Sequence, residues 1–198
     1  EAHNNLGVVL NKLGKPEEAT ISYHKAIKYH PDYAEAHNNL GNVLKKREKL
    51  DEAEIRFRRA IFIKPDYVVA HNNLGIVLKD MGKPDEAIIC YQKALALNPD
   101  YADAHYNYGL ALAEQDRVEE ALTYQLKAIA LDPEKELYRG GLADTLEMLS
   151  FTSVDDQLLE NLFELLERPS VRPSNITGAI ISALRCQEEF SQLLEQFG

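Results

Sequence analysis

The sequence of residues 36–67, AHNNLGNVLKKREKLDEAEIRFRRAIFIKPDY, contains two helical patterns separated by a short polar turn. Apolar residues recur in each pattern with the period of about 3.6 residues that predicts an amphipathic helix. They are Ala36, Leu40, Val43 and Leu44 in the first pattern, then Ala53, Phe57, Ala60 and Ile61 in the second. Pro65 ends the second pattern, because a residue ahead of proline is disfavoured in a helix. The stretch therefore predicts one helix–turn–helix unit.

This unit occurs four times in the chain, at a constant spacing. The copies begin at Ala2, Ala36, Ala70 and Ala104. Every copy is marked by a histidine (His3, His37, His71, His105), a glycine (Gly7, Gly41, Gly75, Gly109) and a proline (Pro31, Pro65, Pro99, Pro133). A fixed period of 34 residues predicts an all-α solenoid, in which each unit buries its apolar face against its neighbours.

Residues at the ends of the helices predict how the chain turns. Gly14 and Gly82 follow the first helix of the first and third copies, and glycine readily adopts the left-handed conformation that ends a helix. Proline follows at positions 16 and 84, where it suits the first turn of the next helix. After the closing proline of each copy, we expect an aspartate to act as the N-cap of the next helix. These aspartates are Asp32, Asp66 and Asp100.

The repeated residues resemble the consensus of the tetratricopeptide repeat (TPR) family. The matching residues in the second copy, in the order of the family signature, are Leu40, Gly41, Leu44, Ala53, Phe57, Ala60 and Pro65. The resemblance covers residues 1–135 and implies a right-handed superhelical solenoid whose first helices line a concave groove. The chain departs from the family at its four repeated histidines, where the family usually has tryptophan or another aromatic residue. We expect these imidazoles to pack between helices rather than to bind a metal ion.

Four repeat units are predicted, at residues 1–33, 34–67, 68–101 and 102–135. Residues 136–149 keep part of the first-helix pattern and predict a helix that caps the solenoid. Residues 150–198 predict an additional α-helical segment, which loosely resembles the helices that follow TPR arrays in larger bacterial proteins, ahead of a transferase domain. Because the chain starts inside a repeat, we expect it to belong to a longer protein. With the resemblance of its C-terminal segment, we expect that protein to be bacterial and cytoplasmic.

Charge and composition exclude several classes of function. The net charge of −10 opposes binding to nucleic acid, which needs clustered lysine and arginine, and to an anionic membrane surface. No apolar run approaches the ~18–20 residues of a membrane span. Cys90 and Cys186 lie far apart and predict two reduced packing thiols. No set of residues suggests catalysis, a metal site or a cofactor, so we expect a protein that is not an enzyme.

Asparagine recurs in pairs just ahead of the repeated glycine. The pairs are Asn4-Asn5, Asn38-Asn39 and Asn72-Asn73, with Tyr106-Asn107 in the fourth copy. Because asparagine is a weak helix former, its recurrence at one helical position needs a reason. The series Asn5, Asn39, Asn73 and Asn107 resembles the asparagine ladder in the TPR region of O-linked N-acetylglucosamine transferases. The resemblance implies amides that grip the backbone of an extended peptide; the alternative is that they only bond between neighbouring helices or to water.

The helical period adds further candidates for partner binding in the same groove. They are the first members of the pairs (Asn4, Asn38, Asn72), Tyr106, Asn42, Lys45, Lys46 and Lys79. An amide offers both a donor and an acceptor, so it can bind a peptide group without requiring a particular side chain. Some TPR domains instead bind chaperone C-termini through a carboxylate clamp of lysine and arginine. The clamp positions here hold Asn38, Asn42, Val69 and Asn73, so we expect no such binding.

The sequence therefore favours a scaffold that binds a protein or peptide segment, without nucleic-acid or membrane partners. One alternative is the substrate-recruiting arm of a larger glycosyltransferase or methyltransferase, with its catalytic domain beyond Gly198. Another is self-association through the edges of the solenoid or through the C-terminal helices. Residues 134–198 are the most acidic part of the chain, with five basic and twelve acidic residues and a net charge of −7.

Overall fold

The computed structural model describes residues 1–147, so the predicted segment 150–198 and the last part of the predicted capping helix lie outside the described residues. The described residues form nine α-helices and no strand. The helices are α1 (Ala2–Lys12), α2 (Pro16–Tyr29), α3 (Ala34–Lys46), α4 (Leu50–Ile63), α5 (Val68–Asp80), α6 (Pro84–Leu97), α7 (Ala102–Ala113), α8 (Val118–Leu131) and α9 (Glu136–Glu147). The prediction of an all-α helical solenoid is confirmed, while the exact borders of the repeat units stay a prediction.

The chain divides into two compact units, Glu1–Pro99 and Asp100–Gly198. The first unit contains three helix pairs, α1 to α6, and the described part of the second contains α7, α8 and α9. Within residues 1–147, no helix is both long enough and apolar enough to span a membrane.

A glycine allows the two helices of each pair to approach closely. A methyl group at Gly41 would lie 2.7 Å from the ring of Phe57, which is fully buried. Gly7 and Gly75 meet the rings of Tyr23 and Tyr91 in the same way, at 2.5 Å. The glycine is therefore required at this position, because the aromatic ring of the second helix fills the space that a side chain on the first would need.

The turn inside each pair has the same backbone geometry in all four copies. Gly14 and Gly82 have φ values of 71° and 74°, as predicted for a left-handed helix end. Glu48 and Asp116 adopt the same conformation in the second and fourth copies, each with φ of 59°. In every copy the next residue donates its N–H to a carbonyl five residues back, for example from Lys49 to Leu44 at 3.0 Å. This pattern of hydrogen bonds is the Schellman motif.

The prediction that aspartates cap the next helices is wrong. The N-cap positions of α3, α5 and α7 are occupied by Tyr33, Tyr67 and Tyr101, without a side-chain capping bond. Each aspartate lies one residue before the N-cap, and no capping bond is made to the backbone N–H groups of the first helical turn. Asp32 instead accepts a hydrogen bond from Arg59 at 2.7 Å, which ties it to the end of α4.

In the first unit, the first helices of successive pairs contact one another. α1 contacts α3 and α3 contacts α5, whereas α2, α4 and α6 pack mainly on the first helices. We call the side of this unit formed by α1, α3 and α5 the inner surface, after the groove that the TPR resemblance implies.

In the second unit, α9 packs on both α7 and α8. Its residues Tyr138, Leu142 and Leu146 are at most 2 % exposed. Gln125 occupies the position of the repeated aromatic residue and donates from Nε2 to Thr145 Oγ1 at 2.8 Å. That α9 caps the solenoid stays a prediction.

Candidate functional site

The two asparagines of each pair differ in burial. The first members, Asn4, Asn38 and Asn72, are only 6, 3 and 3 % exposed. Of the second members, Asn5 is exposed, Asn39 and Asn107 are half-buried, and Asn73 is 9 % exposed. The expectation that the first members contact a partner is therefore corrected: they face a neighbouring helix, because one residue along a helix turns a side chain by about 100°.

A hydrogen bond joins the second asparagine of one copy to the first asparagine of the copy before it. Asn39 Nδ2 donates to Asn4 Oδ1, and Asn73 Nδ2 donates to Asn38 Oδ1, both at 3.0 Å. These bonds connect α3 to α1 and α5 to α3. The amides thus do bond between neighbouring helices, but each bond uses only one of the two N–H groups of the donor.

Part of each amide of Asn39 and Asn73 has no partner within the described residues. The Oδ1 atoms of Asn39 and Asn73 have no hydrogen-bond partner among residues 1–147, and neither atom is sealed from solvent. Each side chain therefore keeps one acceptor and one N–H donor at the inner surface. This is the pair of groups that a peptide bond requires of a partner.

Three lysines occur on the same helices as these amides. Lys45 is half-buried, and this burial lowers the pKa of its ammonium group, while Asp80 on α5 acts in the opposite direction. Asn42 and Lys79 are also half-buried, and Lys46 is exposed. Asn42, Lys45, Lys46 and Lys79 therefore share α3 and α5 with the asparagines, and their part in one binding surface stays a prediction.

Tyr106 does not belong to an open surface. It is 7 % exposed, and its ring centroid lies 4.9 Å from that of Tyr138. A methyl group at Gly141 would meet the same ring at 2.6 Å. The prediction that Tyr106 contacts a partner is corrected, because α9 covers it.

The repeated histidines hold the ends of the helix pairs together. His37 Nε2 donates to the carbonyl oxygen of Pro31, and His71 Nε2 to that of Pro65, both at 2.9 Å. His105 stacks on Tyr124 with ring centroids 5.8 Å apart. No group of three or more metal-ligating side chains occurs in the part of the chain that the structure describes. In the sequence, this bond corresponds to a constant spacing of six residues between the proline and the histidine that follows it.

Known proteins are similar to this chain both in repeat sequence and in fold. Family models described as tetratricopeptide repeat match residues 34–67 and 72–136, and one described as TPR repeat matches residues 9–47. These matches together cover more than half of the chain. No curated protein sequence matches it.

Solved structures share the fold at low sequence identity. YrrB, described as a TPR protein with an unusual peptide-binding site, is 23 % identical over 89 % of both chains, with a TM-score of 0.64. TTC0263, a thermophilic TPR protein of Thermus thermophilus, is 24 % identical over 93 % of this chain and 98 % of its own, with a TM-score of 0.66. MamA from Desulfovibrio magneticus RS-1 is 22 % identical over 84 % of this chain and 92 % of its own, also with a TM-score of 0.66. The family models, which together match more than half of the chain, show that it belongs to the tetratricopeptide repeat family, and the solved structures share its fold.

Proposed function

We propose that this chain binds an extended segment of a protein partner along the inner surface formed by its first helices. The observation that carries the proposal is the state of the Asn39 and Asn73 amides. Each is held by one hydrogen bond within the protein and still offers an acceptor and an N–H to a ligand.

The bonds to Asn4 and Asn38 favour binding because they fix the ladder amides in advance. A side chain that is already ordered loses less conformational entropy when a ligand arrives, which otherwise costs roughly 0.5–1.5 kcal/mol for each immobilised side chain. Because the ladder amides match the peptide group itself, the proposed recognition depends little on the side chains of the ligand.

The surrounding lysines suit a partner with some acidic residues. Lys45, Lys46 and Lys79 lie on α3 and α5 with the ladder amides, and a ligand carboxylate near them gains a charge-assisted hydrogen bond. The description of YrrB as a TPR protein with a peptide-binding site supports a peptide as ligand. The likeness of the asparagine series to that of O-linked N-acetylglucosamine transferases is part of the same proposal.

The test measures peptide affinity after removal of the ladder amides. Peptides are selected on the full chain from a random library, and their dissociation constants are measured for the wild type and for the Asn39→Ala/Asn73→Ala double variant. Since each lost hydrogen bond is worth roughly 0.5–1.5 kcal/mol, we expect binding to weaken by about tenfold or more.

Gln92→Ala is the matched control, because it removes an exposed amide from α6, on the side of the second helices. It should leave the affinity unchanged. Equal affinity of the wild type and the double variant, with both folded by circular dichroism, would contradict the proposal.

The alternative of a transferase arm uses the same surface for a substrate protein, and it requires a catalytic domain in the full reading frame.

A further inference from the structure

Residues of α4, α5 and α6 line a hollow of about 380 Å³ in the first unit. Its lining residues are Arg58, Ile61, Phe62, His71, Leu74, Ile89, Cys90 and Lys93. None of them is among the asparagines and lysines proposed to bind a peptide.

The hollow exists because a small side chain stands where another copy has an aromatic ring. Cys90 lies one repeat before Tyr124, and its neighbour His71 lies one repeat before His105. In the fourth copy, the Tyr124 ring stacks on His105 at 5.8 Å, and its centroid lies 4.4 Å from that of Tyr108. The fold therefore shows which chemical group fits this space: an aromatic ring lying on the histidine.

Exposed apolar side chains border the open space in the third copy. Phe62 is 75 % exposed and Ile89 is 64 % exposed, although large apolar side chains gain free energy on leaving water. The Arg59 guanidinium lies 5.1 Å from the centroid of the Phe62 ring and helps to hold that ring in place. A ring inserted over His71 would contact the bordering groups and shield them from water.

Two cations line the hollow, and the acidic residues nearby pair with one of them. Two of the eight lining residues, Arg58 and Lys93, are cations, and none is acidic. Arg58 already pairs with Glu54 at 2.7 Å and with Glu86 at 3.3 Å. Lys93 has no ion pair or hydrogen bond within residues 1–147, so its ammonium group can receive a carboxylate from outside.

We propose that this hollow is a second binding site, which anchors one aromatic side chain of an acidic protein segment. The ring lies on His71 between Phe62 and Ile89, and a carboxylate beside it pairs with Lys93. The site is independent of the ladder amides, so a partner can engage it whether or not the inner surface is occupied.

Two labelled peptides test the proposal on the full chain: Glu-Glu-Tyr-Glu-Glu, and the same peptide with alanine in place of tyrosine. Their affinities are measured by fluorescence anisotropy. A buried aromatic anchor is a typical hot spot, so we expect the tyrosine peptide to bind about tenfold more tightly or better. Equal affinities of the two peptides would overturn the proposal.

The substitution Cys90→Tyr closes the site with the residue that the fourth copy uses. It should abolish the preference for the tyrosine peptide, while Cys90→Ser, which leaves the hollow open, should keep it. Phe62→Ala removes an exposed wall without touching the core and should weaken tyrosine-peptide binding by about tenfold. An unchanged preference in the folded Phe62→Ala and Cys90→Tyr variants would contradict the proposed site.

Discussion

At the scale of single residues, burial gives the two asparagines of a pair different tasks. Asn38 is 3 % exposed and accepts a hydrogen bond from Asn73, whereas Asn39, one position further, keeps an unused acceptor at the inner surface. The buried residue of one copy thus sets the direction in which the amide of the next copy points. We regard Asn4 and Asn38 as positioning residues for the ladder.

Removing a positioning residue should affect both stability and binding. Asn38→Ala leaves the Nδ2 group of Asn73 without its acceptor, and an unpaired buried polar group costs about 1–3 kcal/mol. We expect the free energy of unfolding in urea to fall by that amount. Peptide affinity should fall as well, although Asn38 is almost inaccessible. Asn42→Ala, on the same helix, is the control for stability, and if Asn38→Ala lost no more stability than Asn42→Ala and kept the affinity of the wild type, the positioning role would be ruled out.

His37 should make the stability of the first unit depend on pH. Burial lowers the pKa of its imidazole below the ordinary 6.5, and Arg56 and Arg59 act in the same direction, although the bond to the Pro31 carbonyl opposes them. The folded state therefore favours the neutral ring. Its contribution to stability is complete above pH 6.5 and is lost as the pH falls below that value, where the unfolded chain takes up the proton more readily.

The measurement compares urea unfolding at pH 7.5 and pH 5.5. The wild type should lose more stability between these two values than the His37→Gln variant does. His30→Gln replaces an exposed imidazole and is the matched control. An identical loss in the wild type and His37→Gln would show that the buried imidazole does not cause the dependence.

At the scale of helices and turns, the packing of a helix pair imposes one turn geometry on different residues. Gly14 and Gly82 adopt the left-handed conformation readily, but Glu48 and Asp116 adopt it with a side chain that crowds the backbone. The glycine turns were predictable from the sequence because the residue type itself favours them. The other two were not, because there the packed helices override the local preference.

The strained turns offer a direct way to stabilise the fold. The left-handed conformation costs a residue with a side chain roughly 1–2 kcal/mol, a cost that glycine avoids. The greater freedom of glycine in the unfolded chain lowers this gain in stability by roughly 0.5–1 kcal/mol. We therefore expect Glu48→Gly to raise the free energy of unfolding by about 0.5–1 kcal/mol. Glu48→Ala removes the same carboxylate but keeps the strain, so it should bring no gain; a similar gain in both variants would refute the explanation.

At the scale of the whole molecule, the first unit carries two separate candidate surfaces. The first helices contact one another and carry the repeated asparagines, whereas the hollow is lined by residues of α4, α5 and α6. The helices and the ladder positions follow from the repeat period alone. The bonds within the ladder and the hollow at Cys90 do not, because they depend on the lateral register of adjacent helices and on a ring that only the fourth copy has.

The spacing of the ladder predicts a regular pattern in the ligand. Packed helices lie about 8–10 Å apart, and an extended chain rises about 3.3 Å per residue. Successive ladder amides of the first unit should therefore meet the ligand about every third residue, through its backbone rather than its side chains.

The most direct test of the proposed backbone recognition is a scan of a selected peptide with N-methyl groups. Each backbone N–H is methylated in turn, and the dissociation constant of every peptide for the full chain is measured by calorimetry. We expect the affinity to fall at positions about three residues apart, with alanine substitutions of most side chains having little effect. Affinity that depends on side chains and is indifferent to backbone methylation would contradict the account.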